Sequence, residues 1–107
     1  MNGKSATVLL GESKEKANSS IKGFLEKLNI EVLECMNGIE VIQQAFAKNP
    51  DLIILDVTLP RLNCFMCARI LKNDPLMKAT PIIHMGSPQN SIEQYWSKVS
   101  GGDYYLQ

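Results

Sequence analysis

The stretch LIILDVTLP, residues 52–60, decides how the rest of the chain is interpreted. Its first four residues are apolar. The apolar run is short, because Asn49-Pro50 precedes the stretch and Pro60 ends it. Such a run is typical of a central strand in a parallel sheet, which is buried on both faces. Asp56 then lies at the end of the strand, where open α/β sheets place their ligand crevice. Asp56 is therefore a candidate functional residue, and the alternative is that it only caps the following turn.

Length and composition favour one globular domain over residues 1–107, with 45% hydrophobic residues available for a core. Eleven basic residues balance eleven acidic ones, which leaves no electrostatic footprint for nucleic acid or an anionic membrane surface. No apolar run approaches the length of a membrane span, and residues 1–5 do not resemble the start of a signal peptide. Three cysteines, an odd number, favour a reducing cytoplasm over a disulfide framework.

Strand-like and helix-like patterns alternate along the whole chain. Helix starts are indicated by Ser13, by Asn37 with Glu40 three residues later, and by Ser87 before Pro88. The predicted strands are 6–10, 30–35, 52–57, 80–85 and 103–106, and the predicted helices begin near residues 13, 37, 64 and 87. This alternation predicts an α/β fold with a parallel sheet covered on both faces. The flavodoxin-like, doubly wound strand order 2-1-3-4-5 is the expected winding for five strands.

The apolar residues of each predicted helix recur every three or four positions and are expected to face the sheet. These predicted inward-facing residues are Ala17, Ile21, Phe24, Leu25, Leu28, Ile39, Ile42, Ala45, Phe46, Met66, Cys67, Ile70, Leu71, Ile92, Tyr95, Trp96 and Val99.

Over nearly its whole length, the chain resembles the receiver domain of response regulators, including the chemotaxis type. Three segments carry the resemblance, namely LDVTLP at 55–60, TPII at 80–83 and GGDYYL at 101–106. It implies that Asp56 accepts a phosphoryl group from a sensor histidine kinase or phosphotransfer protein, as an aspartyl phosphate. It also implies a Mg²⁺ ion near Asp56 and an output protein or domain as partner. A signalling role follows, rather than that of an enzyme.

The resemblance places the acidic pair of the family on Glu12 and Ser13. Ser13 is neutral where the family has its direct metal ligand, and Mg²⁺ favours carboxylate oxygen and water. We therefore expect a weakened Mg²⁺ site formed by Glu12 and Asp56, and weak phosphorylation.

Other family positions also depart from the pattern. The hydroxyl residue after the fourth strand falls on Gly86, with Ser87 one place later, while Tyr105 matches the switch aromatic. The glycine eight residues after the phosphoacceptor is Cys64 here. The chain ends at Gln107, before the family's lysine and fifth helix. We therefore expect a truncated protein or fragment whose exposed apolar face is covered in a homodimer.

Two alternatives to phosphorylation stay open. The first is a docking module that acts without phosphorylation. The second is a small α/β enzyme or redox protein, because Cys64 and Cys67 form a CxxC motif at a helix start, where thiol pKa values are lowered. Burial of both cysteines in the core is the preferred interpretation. His84 is interpreted as a hydrogen-bonded core residue rather than a catalytic base.

Aromatic residues cluster in the predicted fourth helix and fifth strand. They indicate either a surface for an output partner or ordinary packing, and neither is favoured. The residues concerned are Tyr95, Trp96, Tyr104 and Tyr105.

Overall fold

The structure, a computed structural model, describes residues 6–12, 20–86 and 98–106. Strands and helices alternate along these residues, as the sequence pattern predicts. The elements are β1 (Thr7–Gly11), α1 (Ser20–Lys27), β2 (Glu31–Cys35), α2 (Gly38–Lys48), β3 (Leu52–Asp56), α3 (Cys64–Lys72), β4 (Ile82–Met85) and β5 (Tyr104–Leu106). The helix predicted to begin at Ser87 lies largely outside the described residues, although residues 98–100 are helical.

The five strands form one sheet in the order β2-β1-β3-β4-β5, and all neighbouring strands are parallel. This arrangement confirms the predicted flavodoxin-like α/β fold and its winding. β3 is the central strand, since it pairs with β1 on one side and with β4 on the other. Its residues Ile53, Ile54 and Leu55 are buried, as expected for a strand covered on both faces.

The side chains of the central strands alternate between two apolar clusters, because successive residues of a strand point to opposite faces. Leu9 and Ile53 belong to the cluster that also contains the buried residues of α2 and α3. Leu10 and Ile54 belong to the other cluster, together with Leu25 of α1. The sheet is thus packed against α2 and α3 on one face and against α1 on the other.

Asparagine caps set the starts of α2 and α3. The Asn37 Oδ1 atom accepts a hydrogen bond from the Glu40 N–H at 3.0 Å, and the Glu40 Oε1 atom accepts one from the Met36 N–H at 3.1 Å. The predicted cap at Asn37 is confirmed, with Glu40 reaching back one residue further than in a standard capping box. Asn63 caps α3 in the same way by accepting from the Met66 N–H at 2.9 Å.

The predicted inward faces of the helices are wrong in part. Phe24 of α1 is 63% exposed, and the other exposed members of the predicted faces are Leu28, Ile39, Phe46, Met66, Ile70 and Val99. Other members of the predicted faces are buried as expected, namely Ala45 of α2 and Cys67 and Leu71 of α3. Small residues outside the predicted faces are buried as well, among them Gly38 and Ala68. Small side chains at the contact let a helix lie close to the sheet, so several of the larger apolar residues flank it.

Two aspartates form hydrogen bonds to neighbouring strands at the amino edge of the sheet, the edge at which the parallel strands begin. The Asp51 N–H donates to the Thr7 carbonyl, and the Asp51 Oδ2 atom accepts from the Thr7 N–H, both at 2.8 Å. Asp103 makes the same two bonds to Ile82, again at 2.8 Å each. Each aspartate thereby satisfies backbone groups at a strand end that would otherwise lack a ladder partner.

Lys72, the last residue of α3, reaches the same edge. Its Nζ atom lies 2.8 Å from the Asp103 Oδ2 atom and donates to the Thr80 carbonyl at 2.8 Å and the Lys78 carbonyl at 3.1 Å. Partial burial alone would raise the pKa of the Asp103 carboxyl. The hydrogen bonds from Lys72 and the Ile82 N–H, with the charge of Lys72, outweigh it and lower that pKa below its ordinary value.

Within residues 6–12, 20–86 and 98–106, none of the helices combines the length and apolar character that crossing a membrane requires.

Candidate functional site at the carboxyl edge of the sheet

Asp56 is the last residue of β3 and lies at the carboxyl edge of the sheet, the edge at which the parallel strands end. It is 4% exposed. The chain turns directly after it, because the Leu59 N–H donates to the Asp56 carbonyl at 3.1 Å. The Val57 N–H still donates to the Met85 carbonyl of β4 at 2.9 Å. The carboxyl group is therefore presented where β3 leaves the sheet, as the sequence predicts.

Thr58 contacts the carboxylate of Asp56 with two donors. Its backbone N–H lies 2.8 Å from the Asp56 Oδ1 atom, and its Oγ1 atom lies 2.6 Å from the same oxygen. The N–H contact closes an Asx-turn, a turn in which an aspartate oxygen replaces a backbone carbonyl. Thr58 is not among the site residues that the sequence predicts. Its position two residues after an aspartate would have indicated this contact.

Glu12 follows β1 directly and is also 4% exposed. Its N–H donates to the Cys35 carbonyl at 3.0 Å, so β1 remains paired with β2 up to this point. Gly11 pairs with Leu55 across β1 and β3, which places Glu12 and Asp56 at corresponding positions on neighbouring strands. The structure thus brings the two predicted carboxylates to the same edge. Ser13, the second residue of the predicted acidic pair, lies outside the described residues.

The predicted switch positions are described only in part. Gly86 follows β4, and its neighbour Met85 pairs with Asp56, so Gly86 lies at the carboxyl edge beside the aspartate. Tyr105 lies in β5 and pairs with His84. Ser87 lies outside the described residues, as do Tyr95 and Trp96 of the predicted aromatic cluster. A further member of that cluster, Tyr104, is 64% exposed and is therefore not a core residue.

The two cysteines of the CxxC motif form no disulfide and are buried in the core. Cys67 Sγ lies 3.5 Å from the carbonyl of Gly38 at the start of α2. Burial raises the pKa of the Cys67 thiol to about 12, and the backbone hydrogen bond only partly opposes that effect. A redox thiol needs an accessible thiolate, which this environment disfavours. The preferred interpretation of these cysteines as core residues is confirmed.

His84 is fully buried in β4, with its Nε2 atom 3.3 Å from the Cys64 carbonyl. Since a carbonyl can only accept, the ring nitrogen donates. The ring also packs edge-on against Phe65, with centroids 4.9 Å apart. Burial lowers the pKa of the imidazole below 6.5, although the Cys64 carbonyl opposes the shift. The interpretation of His84 as a core residue is confirmed.

Comparison with known proteins assigns the chain to one family. The family model described as "Response regulator receiver domain" matches residues 8–106. The chain belongs to this family. Receiver domains act in two-component and chemotaxis signalling, and phosphorylation of an aspartate is their general function. They are signalling modules that interact with histidine kinases or phosphotransfer proteins and with output domains, and they generally bind Mg²⁺.

Two curated relatives come from Pseudomonas aeruginosa. Protein PilH is 28% identical over 101 residues, which cover 94% of this chain and 84% of PilH. Protein PilG is 22% identical over 99 residues, which cover 92% of this chain and 73% of PilG. Both therefore align with this receiver domain over most of their own length.

Solved structures share the receiver fold at low sequence identity. The chemotaxis response regulator CheY4 of Vibrio cholerae superposes with a TM-score of 0.87 and 22% identity, covering 96% of this chain and 86% of CheY4. The receiver domain of a sensor histidine kinase from Pseudomonas aeruginosa, solved with Mg²⁺ in its active-site cleft, has a TM-score of 0.86 and 22% identity. That likeness covers 96% of this chain and 84% of the other.

Proposed function

We propose that this receiver domain accepts a phosphoryl group on Asp56. The observation that carries the proposal is a buried carboxylate at the end of the central strand, held by Thr58 at 2.8 and 2.6 Å. A carboxylate oxygen attacks the phosphorus atom of the donor, and the bond between phosphorus and the donor's leaving group breaks. The leaving group departs with the electron pair, and Asp56 becomes an acyl phosphate. A sensor histidine kinase or phosphotransfer protein is the proposed donor in the cell, and an output protein or domain reads the result.

The residues present fit a Mg²⁺ ion with few protein ligands. Mg²⁺ keeps several waters and often takes one or two carboxylates from the protein, and Glu12 and Asp56 supply two at one edge. No three His, Cys, Asp or Glu side chains come together as a metal site in residues 6–12, 20–86 and 98–106. We therefore propose a weakened site. When bound, the ion would neutralise the negative charge that develops on the phosphoryl oxygens during transfer.

A second candidate function is a docking module that acts without phosphorylation. It is favoured by Gly86, which has no hydroxyl to offer a phosphoryl oxygen beside Asp56. Ser87 and Tyr105 remain the other proposed switch residues. The two functions differ in whether Asp56 is modified at all.

A cytoplasmic location and a homodimer are also proposed. Three buried cysteines that form no disulfide support a reducing compartment. The support for a homodimer is that Phe24 of α1 and Leu28, which directly follows α1, are 63% and 56% exposed. A molar mass of one chain by light scattering at micromolar concentration, or a dimer unaffected by Phe24→Lys, would contradict this dimer.

The phosphorylation proposal is tested by intact mass after incubation with acetyl phosphate, with and without Mg²⁺. The wild type is expected to gain the mass of one phosphoryl group, more so with Mg²⁺. Asp56→Asn is expected to gain none. Asp103→Asn, which changes a carboxylate at the amino edge, is the matched control and should behave like the wild type. A folded wild type that gains no adduct favours the docking module instead.

A further inference from the structure

Asn37 and Gly38 form an Asn-Gly pair at the start of α2. The side chain of an asparagine can be attacked by the backbone nitrogen of the next residue, which makes asparagine one of the thermolabile residue types. Glycine shields its nitrogen least, because it has no Cβ. The pair is therefore a candidate site of covalent modification, and its reactivity depends on whether the structure lets the two groups meet.

The modification is deamidation, whose only co-reactant is water. The Gly38 nitrogen loses its proton to a base of the solvent and attacks the Asn37 Cγ atom, and the bond between Cγ and the side-chain nitrogen breaks. That nitrogen leaves with the electron pair, takes a proton from solvent and departs as ammonia, so that a five-membered succinimide ring remains. Water then opens the ring at one of its two carbonyl groups and leaves aspartate or isoaspartate at position 37. The isoaspartate product has one more carbon atom in its main chain.

The structure opposes the first step of this reaction at both reacting groups. The Gly38 N–H donates to the Pro60 carbonyl at 3.1 Å, and since a carbonyl can only accept, this hydrogen bond must break before the nitrogen can lose its proton. The Asn37 Oδ1 atom accepts from the Glu40 N–H at 3.0 Å, which fixes the side chain as a helix cap. Gly38 is buried, and a Cβ atom on it would lie 1.8 Å from the Leu62 carbonyl oxygen, so it has no room to move toward the loop.

Cys67 of α3 adds a further connection between Gly38 and the loop 57–63. Its Sγ atom lies 3.5 Å from the Gly38 carbonyl oxygen and 3.7 Å from the Leu62 carbonyl oxygen. Gly38 is therefore held through its N–H and through its carbonyl group. The reacting nitrogen is released only when the start of α2 separates from this loop.

We propose that Asn37-Gly38 is a deamidation site that the folded protein keeps unreactive and that reacts when the start of α2 separates from the loop 57–63. The isoaspartate product makes this separation permanent, because the extra main-chain carbon moves Gly38 out of its contacts with the loop. The modification thus records an opening beside Asp56, whether or not Asp56 is phosphorylated.

Peptide mapping by mass after incubation at slightly alkaline pH measures the reaction. Trypsin releases residues 28–48, which separates Asn37 from the other Asn-Gly pair of the chain, at Asn2. We expect Asn37 to deamidate at least about ten-fold more slowly in the folded protein than in the same protein in guanidinium chloride. Asn37→Asp is the blank, because it has no side-chain amide to lose. Equal rates with and without denaturant, or no reaction of Asn37 in the denatured chain, would overturn the proposal.

Two variants distinguish a local separation from global unfolding. Cys67→Ala weakens the contact with Gly38 and Leu62 but leaves the reacting pair unchanged, whereas Lys72→Met weakens the amino edge. Urea unfolding shows that both variants are folded and measures how much stability each has lost. We expect Asn37 to react roughly five-fold faster in folded Cys67→Ala than in the wild type, and at nearly the wild-type rate in Lys72→Met. No acceleration in Cys67→Ala, or an acceleration in Lys72→Met as large as its loss of stability, would overturn the proposal.

Discussion

The two edges of the sheet use aspartate in different ways. At the amino edge, Asp51 and Asp103 bind backbone groups of neighbouring strands, and Asp103 also pairs with the ammonium group of Lys72. At the carboxyl edge, Asp56 is held within its own turn by the neutral donors of Thr58. Asp103 keeps 40% of its side chain exposed, whereas Asp56 is 4% exposed.

This difference supports the proposal that Asp56 is reactive, whereas Asp51 and Asp103 are structural. A carboxylate that joins two strands and a cation cannot take a new covalent bond without loosening the sheet. A carboxylate held by neutral donors of its own turn can exchange part of that stabilisation for a ligand. A buried acidic group at the edge where α/β sheets bind their ligands is therefore the better candidate for chemistry than one that joins two strands.

The largest expected loss of stability comes from adding a methyl group to a glycine at one edge of the sheet, because it tests how closely that edge is packed. A Cβ atom on Gly38, at the start of α2, would lie 1.8 Å from the carbonyl oxygen of Leu62 in the loop after Asp56. The two nearest atoms are the carbonyl oxygen and carbon of Leu62, which belong to the backbone and cannot move aside as a side chain can. Gly38→Ala is therefore expected to cost about 3 kcal/mol or more and to lower the melting temperature by roughly 10–20 °C. At the amino edge, a Cβ on Gly101 would meet the flexible Lys72 side chain at 2.9 Å, and the φ of +101° adds backbone strain. Gly101→Ala is expected to cost less, about 1–2 kcal/mol.

Thermal and urea unfolding measure both substitutions. Gly23→Ala in α1 is the control, since a Cβ there meets nothing within 4 Å. It is expected to stabilise the protein by up to about 1 kcal/mol through helix propensity. If Gly101→Ala costs more than Gly38→Ala, the carboxyl edge is not the more tightly packed of the two.

A smaller loss is expected when the cation of the amino edge is removed. Lys72→Met keeps the aliphatic stem but loses the bonds to Asp103, Thr80 and Lys78. Since the pair is partly exposed to solvent, the expected cost is about 1–2 kcal/mol at neutral pH by urea unfolding. The pKa of the Asp103 carboxyl is lowered in the folded protein, so the pair stabilises above pH 3.8 and this gain is lost as the pH falls further.

Lys22→Met provides the matched control on the surface of α1, where Lys22 pairs with Glu34 at 3.0 Å. Both side chains are solvent-exposed enough for water to replace the pair, so its loss should be difficult to measure. Equal effects of the two lysine substitutions would show that the backbone carbonyls add nothing to the Lys72 contact.

The fold and the position of Asp56 could be predicted because their signals are local. The apolar run before Asp56 and the prolines around it indicate a central strand, and Asn37 with Glu40 indicates a helix start. The amino edge could not be predicted in the same way. Thr7 and Asp51 are 44 residues apart in the chain, and nothing in either segment indicates their contact.

The errors in the helix faces have a different cause. α3 carries more apolar residues than its contact with the sheet can bury, so periodicity alone allows more than one orientation. The side of α3 that packs inward carries Cys67, Ala68 and Leu71, and Met66 and Ile70 are left 45% and 38% exposed. Side-chain size at the contact, together with hydrophobicity, decides which apolar residues are buried.

The smallest expected effect is a dependence of stability on pH that comes from His84, two residues before Gly86 at the carboxyl edge. Burial is the main reason that the pKa of His84 is lowered from 6.5 in the folded protein. Just below pH 6.5 the imidazole is therefore protonated more in the unfolded chain than in the folded protein. Stability from this source is complete above pH 6.5 and falls as the pH drops below it, by at most about 1.4 kcal/mol per pH unit. Urea unfolding between pH 7.5 and about pH 5 measures the slope.

His84→Gln isolates that slope, because glutamine retains a donor for the Cys64 carbonyl but does not titrate in this range. The variant is expected to be less stable at neutral pH and to lose stability less steeply as the pH falls. The Asp103 carboxyl cannot produce the same slope, since its lowered pKa moves its titration below pH 3.8. Parallel curves for the two proteins would mean that His84 is protonated alike in the folded and unfolded states. Its buried position in β4 would then impose no electrostatic cost at the edge that holds Asp56.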